Sequence, residues 1–151
     1  MQWLGLYKSQ LSTEFDMKHV WFDHAISGRI YCWGHDANGA VKYPTSDWFY
    51  QVSAGEKHTC GLRRDKSLYC FGDAITPLNE TPEGNDFNHV TSGSHYSCAI
   101  RESGAMECWG RHTTTQSTTR RDFRYVAAGD SMTCAITIRD AVRCFNNRDG
   151  R

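Results

Sequence analysis

VTSGSHYSCAIRESGAMECWG, running from Val90 to Gly110, is the middle of three matching stretches. VSAGEKHTCGLRRDKSLYCFG precedes it from Val52 to Gly72, and VAAGDSMTCAITIRDAVRCFN follows from Val126 to Asn146. The offsets are 38 and 36 residues, and no copy contains an insertion. Each copy keeps a valine, a glycine three residues on, a cysteine five beyond that, and a second cysteine ten further. An aromatic follows the second cysteine (Phe71, Trp109, Phe145), and another precedes the valine by three (Phe49, Phe87, Phe123). Self-similarity at a fixed period of this size is the mark of a repeat architecture.

Upstream, His24 to Gly34 (HAISGRIYCWG) matches the second half of the unit without a gap. Ten residues before Cys32 stands Phe22 where the other copies have cysteine, so this copy is degenerate. The repeats fall at about 14–51, 52–89, 90–125 and 126–151, in a single domain covering 1–151.

Within a unit, short β-rich runs alternate with glycine or polar clusters, which is the signature of strands. The first strand carries Phe-x-x-Val, the second runs into Cys-Ala-Ile, and the third carries an apolar residue, cysteine and the aromatic. If Cys98 faces Cys108 across an antiparallel pair, Glu102-Ser103-Gly104 remains as a three-residue loop. Such loops want glycine at the last, left-handed position. Gly104 and Gly28 satisfy this, whereas Lys66 and Asp140 occupy the place in two other copies. Asparagine and aspartate visit that conformation moderately well and lysine does not, so a different turn is expected at Lys66.

Opposed residues of a non-hydrogen-bonded pair lie about 4.5 Å apart at Cα, within disulfide reach. Three bridges are therefore expected, Cys60–Cys70, Cys98–Cys108 and Cys134–Cys144, each worth about 3 kcal/mol on the chain-entropy account. Six reduced thiols packed between repeats are the alternative, since free cysteine is a normal core residue. Cys32 is left over.

Composition narrows the function. Seventeen basic and seventeen acidic side chains give zero formal charge, against the basic face a nucleic-acid module shows and against docking on anionic lipid. No apolar run approaches the ~20 residues of a membrane span, and the first residues lack the pattern of a signal peptide. Zinc is disfavoured because its knuckles use Cys-x2–4-Cys and these cysteines stand ten apart. Neither a Gly-x-Ser-x-Gly elbow nor a phosphate-binding glycine loop occurs, so no enzyme activity and no cofactor are expected.

The pattern Val-x-x-Gly-x-x-x-(Ser/Thr)-Cys-Ala-(Ile/Leu)…Gly-x-x-x-Cys-Trp-Gly resembles the regulator of chromosome condensation repeat family. More closely, it resembles the shorter, cysteine-bearing version of secreted bacterial proteins and crinkly-type plant receptor ectodomains, a group that includes a bacterial β-lactamase-inhibitor propeller. The resemblance covers residues 22 to 146 well and the first 21 poorly, and Phe145-Asn146 departs from its Trp-Gly. It implies an all-β fold of propeller blades, about 3.5 to 4 of them, as an incomplete ring or a ring closed by another copy. Open blade edges invite pairing with a second chain.

Function in such a frame belongs to loops that vary over fixed positions. Between glycine and the Ser/Thr-Cys pair stand Glu56-Lys57-His58, Ser94-His95-Tyr96 and Asp130-Ser131-Met132. These nine residues are expected on one rim as the partner-binding surface, with Tyr96, His58 and His95 as its anchors because aromatic side chains dominate interface energetics. Trp48 with Tyr50, and Trp21 with Trp3, break the repeat and are candidates for exposure or for the core of the degenerate unit. Asn79-Glu80-Thr81 is a sequon followed by Pro82, and Thr113 to Thr119 is a polar stretch that could carry O-glycans. The reading is a non-enzymatic extracellular module binding another protein through rim loops. Its alternative is a self-assembling subunit joined through open blade edges. Enzyme inhibition and GTPase exchange, which relatives perform, come after both.

Overall fold

The computed structural model describes residues 18–22, 30–34, 47–72, 81–111 and 118–146, all as strands and the turns joining them. Among the described residues, twelve strands form four antiparallel sheets, each a propeller blade. The first blade pairs β1 (Lys18–Phe22) with β2 (Ile30–Gly34). The second is β3 (Phe49–Ala54), β4 (His58–Arg63) and β5 (Leu68–Gly72). The third is β6 (Phe87–Ser92), β7 (Tyr96–Arg101), β8 (Ala105–Gly110) and an outer β9 (Thr118–Arg121). The fourth is β10 (Phe123–Ala128), β11 (Met132–Thr137) and β12 (Val142–Asn146).

The cysteines of each unit are cross-strand partners: Cys60 faces Cys70, Cys98 faces Cys108 and Cys134 faces Cys144. Each pair is disulfide-bonded, with Cα atoms 4.1, 4.0 and 4.0 Å apart. Cys32 stands in β2. There the register differs from the sequence alignment, for Val20 faces Cys32 and Phe22 faces Ile30. The connection from Phe22 to Ile30 is two residues longer than that from Leu62 to Leu68, which slides the partner strand along by two.

The turn at Lys66 also corrects the sequence expectation. Lys66 (φ 65°), Gly104 (φ 81°) and Asp140 (φ 62°) all take the left-handed conformation, so the second blade keeps the common turn. Tertiary bonding explains why lysine tolerates it. The Lys66 carbonyl accepts the Phe87 N–H of the next blade at 3.1 Å, as the Gly104 carbonyl accepts that of Phe123 at 3.1 Å. Lys66 also pairs with Glu102 of the following turn. The next blade fixes the turn, and the ~1–2 kcal/mol of left-handed strain is absorbed.

Between blades the core is a series of seams. The middle strand of each blade sends alternate side chains to opposite faces, as the pleat requires. Leu62, Cys60 and Leu68 of the second blade meet Phe87, Val90, Ala99 and Trp109 of the third. Ile100, Cys98, Met106 and Cys108 of the third meet Phe123, Val126, Ala135 and Phe145 of the fourth. Ile30 of β2 meets Phe49 and Val52 in the same way. At each of these seams the forward face of one blade is covered by the back face of the next.

Candidate binding surface

The variable triplets are tight turns joining the inner and middle strands. The glycine N–H donates to the carbonyl of the third triplet residue, Gly55 to His58, Gly93 to Tyr96 and Gly129 to Met132, at 2.8, 2.8 and 2.9 Å. This closure directs the first two residues outward along the rim. The third already belongs to the middle strand, and its side chain falls on the forward face.

His58 and Tyr96 are consequently not surface anchors, a correction to the expectation from sequence. Both are 2% exposed. His58 Nε2 lies 2.8 Å from the Ser97 hydroxyl of the next blade, and Ser97 donates to Ser92 at 3.1 Å. Tyr96 donates from its hydroxyl to the Met132 carbonyl at 3.1 Å and accepts from the Thr133 hydroxyl at 2.9 Å. Ser97 and Thr133 are equivalent, so the variable residue of one blade binds the fixed Ser/Thr of the next. Met132, at the same position in the fourth blade, is 54% exposed.

The remaining members stay accessible. Glu56 and Asp130 are exposed, and Lys57, Ser94, His95 and Ser131 are half-buried. Three of them converge across the seam of the second and third blades: Ser94 donates to the Glu56 carboxylate, and His95 Nε2 lies 3.8 Å from the same group. The result is a compact carboxylate, hydroxyl and imidazole on the rim. It can both accept and donate hydrogen bonds. Lys57, Asp130 and Ser131 continue the rim on either side.

Trp48 and Tyr50 are 44% and 49% exposed. The Arg64 guanidinium sits 4.9 Å from the Trp48 ring centroid, beside an open depression of about 480 Å³ lined by Asp47, Trp48, Arg63, Arg64 and Asp65. On the inner strands, His89 packs on Tyr125 with centroids 4.3 Å apart and, through Nε2, hydrogen-bonds the Val126 carbonyl at 2.9 Å. Burial pushes its pKa below the ordinary value of 6.5, and the Val126 hydrogen bond opposes this in part. Sequence reasoning missed the exposure of Tyr125 and Val142, 49% and 66%. Trp3, Asn79, Glu80 and residues 113–117 lie outside the described residues, as does the side chain of Trp21. Among the described residues no group of three or more histidine, cysteine or acidic side chains gathers as a metal site. Nor, among the described residues, is any helix long and apolar enough to cross a membrane.

Residues 49–74, the second blade, match the family model described as Regulator of chromosome condensation (RCC1) repeat. No curated protein is recognisably similar in sequence. Among solved structures, the fold is similar to the CRINKLY WD40 ectodomain of the Arabidopsis thaliana receptor kinase ACR4, with TM-score 0.70 and 20% identity over 85% of this chain and 47% of that one. The ectodomain of the Physcomitrella patens receptor kinase CR4 gives TM-score 0.73 and 22% identity over 90% of this chain and 38% of that one. Prp20p from Saccharomyces cerevisiae, whose binding to Gsp1p and histones accompanies its structure, gives 0.70 and 16% over 87% and 42%. The chain spans less than half the length of each of these relatives.

Proposed function

We propose that this array of RCC1-type blades is an extracellular, non-enzymatic module that binds another protein through one rim. Its contact residues are Glu56, Lys57, Ser94, His95, Asp130 and Ser131. The observation that carries this reading is the Glu56–Ser94–His95 cluster, polar groups from two blades brought together in turns whose sequence varies over a fixed frame. Two similar structures are receptor ectodomains, and a third, Prp20p, has binding properties to Gsp1p and histones. Three disulfides suit an oxidising compartment. The single-domain division into units at about 14–51, 52–89, 90–125 and 126–151 is part of the same proposal.

The test places a photo-crosslinking residue at Glu56, His95 or Asp130, and separately at Arg64, Glu102 or Arg139 on the opposite rim. One common protein crosslinked from the first set alone is expected. Crosslinking from the second set alone would refute the choice of rim.

A second reading, association of the chain with copies of itself through an open blade face, is favoured by a separate observation. Met132 and Val142 of the fourth blade are 54% and 66% exposed, although their counterparts in the second and third blades, His58 and Tyr96 and Leu68 and Met106, are buried.

A further inference from the structure

The rim opposite Glu56 and His95 carries a departure from the repeat. In the second, third and fourth blades the turn after the middle strand is clasped to the residue just before the inner strand. Arg64 N–H donates to the Trp48 carbonyl, Glu102 N–H to that of Asp86 and Ile138 N–H to that of Asp122, at 2.8, 2.6 and 2.7 Å. At the clasped position the third and fourth blades have aspartate, and each carboxylate takes an arginine, Asp86 with Arg101 and Asp122 with Arg120. The second blade has Trp48 there. Arg63, the counterpart of Arg101, bonds Asp47 one residue earlier instead, at 2.8 Å. The carboxylate has moved by one residue, and an indole 44% exposed stands in its place. A large apolar side chain left in water adds little to the fold, and a local rule broken without structural gain points to function.

The surroundings of Trp48 combine an apolar surface with both hydrogen-bonding roles. The depression of about 480 Å³ lined by Asp47, Trp48, Arg63, Arg64 and Asp65 falls within the roughly 300–1,000 Å³ of small-ligand pockets. The Arg64 guanidinium lies 4.9 Å from the indole centroid and enters none of the ion pairs among the described residues. Its N–H groups are donors open to a ligand. Asp65 accepts from the Ser67 N–H and hydroxyl through one oxygen, Oδ1, at 2.9 and 2.6 Å, and its other oxygen is an acceptor. Two arginines and two aspartates leave the lining without net charge. The site therefore favours neither an anion, which Asp65 repels, nor a cation, which Arg64 repels.

A ligand suited to this lining is uncharged, carries donors and acceptors around its edge, and has an apolar face to lay against an indole. A pyranose ring meets all three conditions, with hydroxyls that donate and accept around a face of C–H groups. We propose that the depression is a carbohydrate-binding site, in which the exposed part of Trp48 packs on a neutral sugar ring while Arg64 and Asp65 hydrogen-bond its hydroxyls. The site is separate from the protein contact proposed at Glu56 and His95 and does not depend on it.

The fluorescently labelled full chain, applied to a microarray of neutral and acidic plant, fungal, bacterial and animal oligosaccharides, tests this. A group of neutral oligosaccharides sharing one sugar is expected to bind, and the best of them is then titrated against the variants. Trp48→Asp restores the residue that the third and fourth blades carry at this position, so it should keep the wild-type urea midpoint. It should weaken binding on the order of 10-fold or more, the worth of one aromatic contact. Arg64→Gln, at an exposed side chain, should weaken it as well and decides the matter should Trp48→Asp unfold. Tyr50→Ala removes an exposed aromatic outside the depression and should bind as the wild type does. No oligosaccharide bound, or acidic ones alone, would overturn the proposal. So would neutral-sugar binding that survives both Trp48→Asp and Arg64→Gln. Crosslinking at Glu56 and His95 reports on the other rim, so either reading can fail without the other.

Discussion

Replacing Gly93 with alanine tests the seam more directly than removing any side chain. A methyl built there falls 2.5 Å from Tyr96 Cε1 and nearer still to the Gly129 carbonyl oxygen of the next blade. That is roughly 1 Å short of ordinary carbon contact. Neither neighbour can yield alone, because the oxygen is main chain and the Tyr96 hydroxyl is tied to Met132 and Thr133. Overpacking of this kind costs about 1–3 kcal/mol, and stretching the two tyrosine hydrogen bonds adds about 1–3 kcal/mol. A total of about 2–6 kcal/mol is expected. Gly129→Ala is the internal control. The same methyl meets only the Met132 carbonyl oxygen, at 3.2 Å, and neither glycine has the positive φ that would strain alanine. Stiffening of the unfolded chain by about 0.4–1 kcal/mol should leave that variant near neutral or slightly stabilised. Urea unfolding followed by circular dichroism, at a concentration where the chain is monomeric, compares the two. Equal costs at Gly93 and Gly129 would refute the assignment of forward and back faces.

Lys66→Gly should stabilise by about 0.5–1 kcal/mol in the same assay, because glycine relieves the left-handed strain and the exposed Lys66–Glu102 pair it removes is worth little. Stability should fall as the pH drops below 6.5, since His89 is held neutral by burial with a lowered pKa. Its contribution is complete above the unfolded value and is lost as pH descends through the folded one. His89→Gln should reduce the slope of stability against pH, and an unchanged slope would exclude His89 as its source. Replacing Cys98 and Cys108 together by alanine should cost about 2.7 kcal/mol, the chain-entropy value for a loop closed at a separation of ten residues. Alkylation of the denatured, unreduced wild-type chain should modify one thiol of seven, and seven modified thiols would show that the bridges do not form.

Much of the frame was legible because each of its rules is local. The ten-residue spacing of the cysteines encodes a hairpin register, and Phe-x-x-Val encodes which side of the inner strand is covered. What was not legible depends on the neighbouring blade. His58, Tyr96 and Met132 differ freely and so read as loop residues, yet two are buried and one is exposed according to what lies ahead of them. Lys66 reads as a poor left-handed residue, but the hydrogen bond from Phe87 settles its conformation. The slipped pairing of Val20 with Cys32 escaped notice because the second half of that unit aligns without a gap while the connection before it is longer.

These differences bear on how recognition is divided in the molecule. A seam position is held by a partner in the next blade, as the His58–Ser97 and Tyr96–Thr133 pairs show, one an imidazole on a hydroxyl and the other a phenol between a hydroxyl and a carbonyl. A rim position has no such constraint from the next blade's core, so its chemistry is free to answer to a partner. Of the nine variable residues, His58 and Tyr96 therefore belong to the seams, and Met132 stands exposed at their position on the fourth blade. Under the proposed function, Glu56, Lys57, Ser94, His95, Asp130 and Ser131 are the residues that meet a partner. One consequence separates the two roles: exchanging His58 and Tyr96 should destabilise the fold and leave the rim chemistry intact, because each would then face a seam shaped for the other. Exchanging Ser94 and Asp130 should leave stability within about 0.5 kcal/mol, as surface substitutions do, and alter only binding.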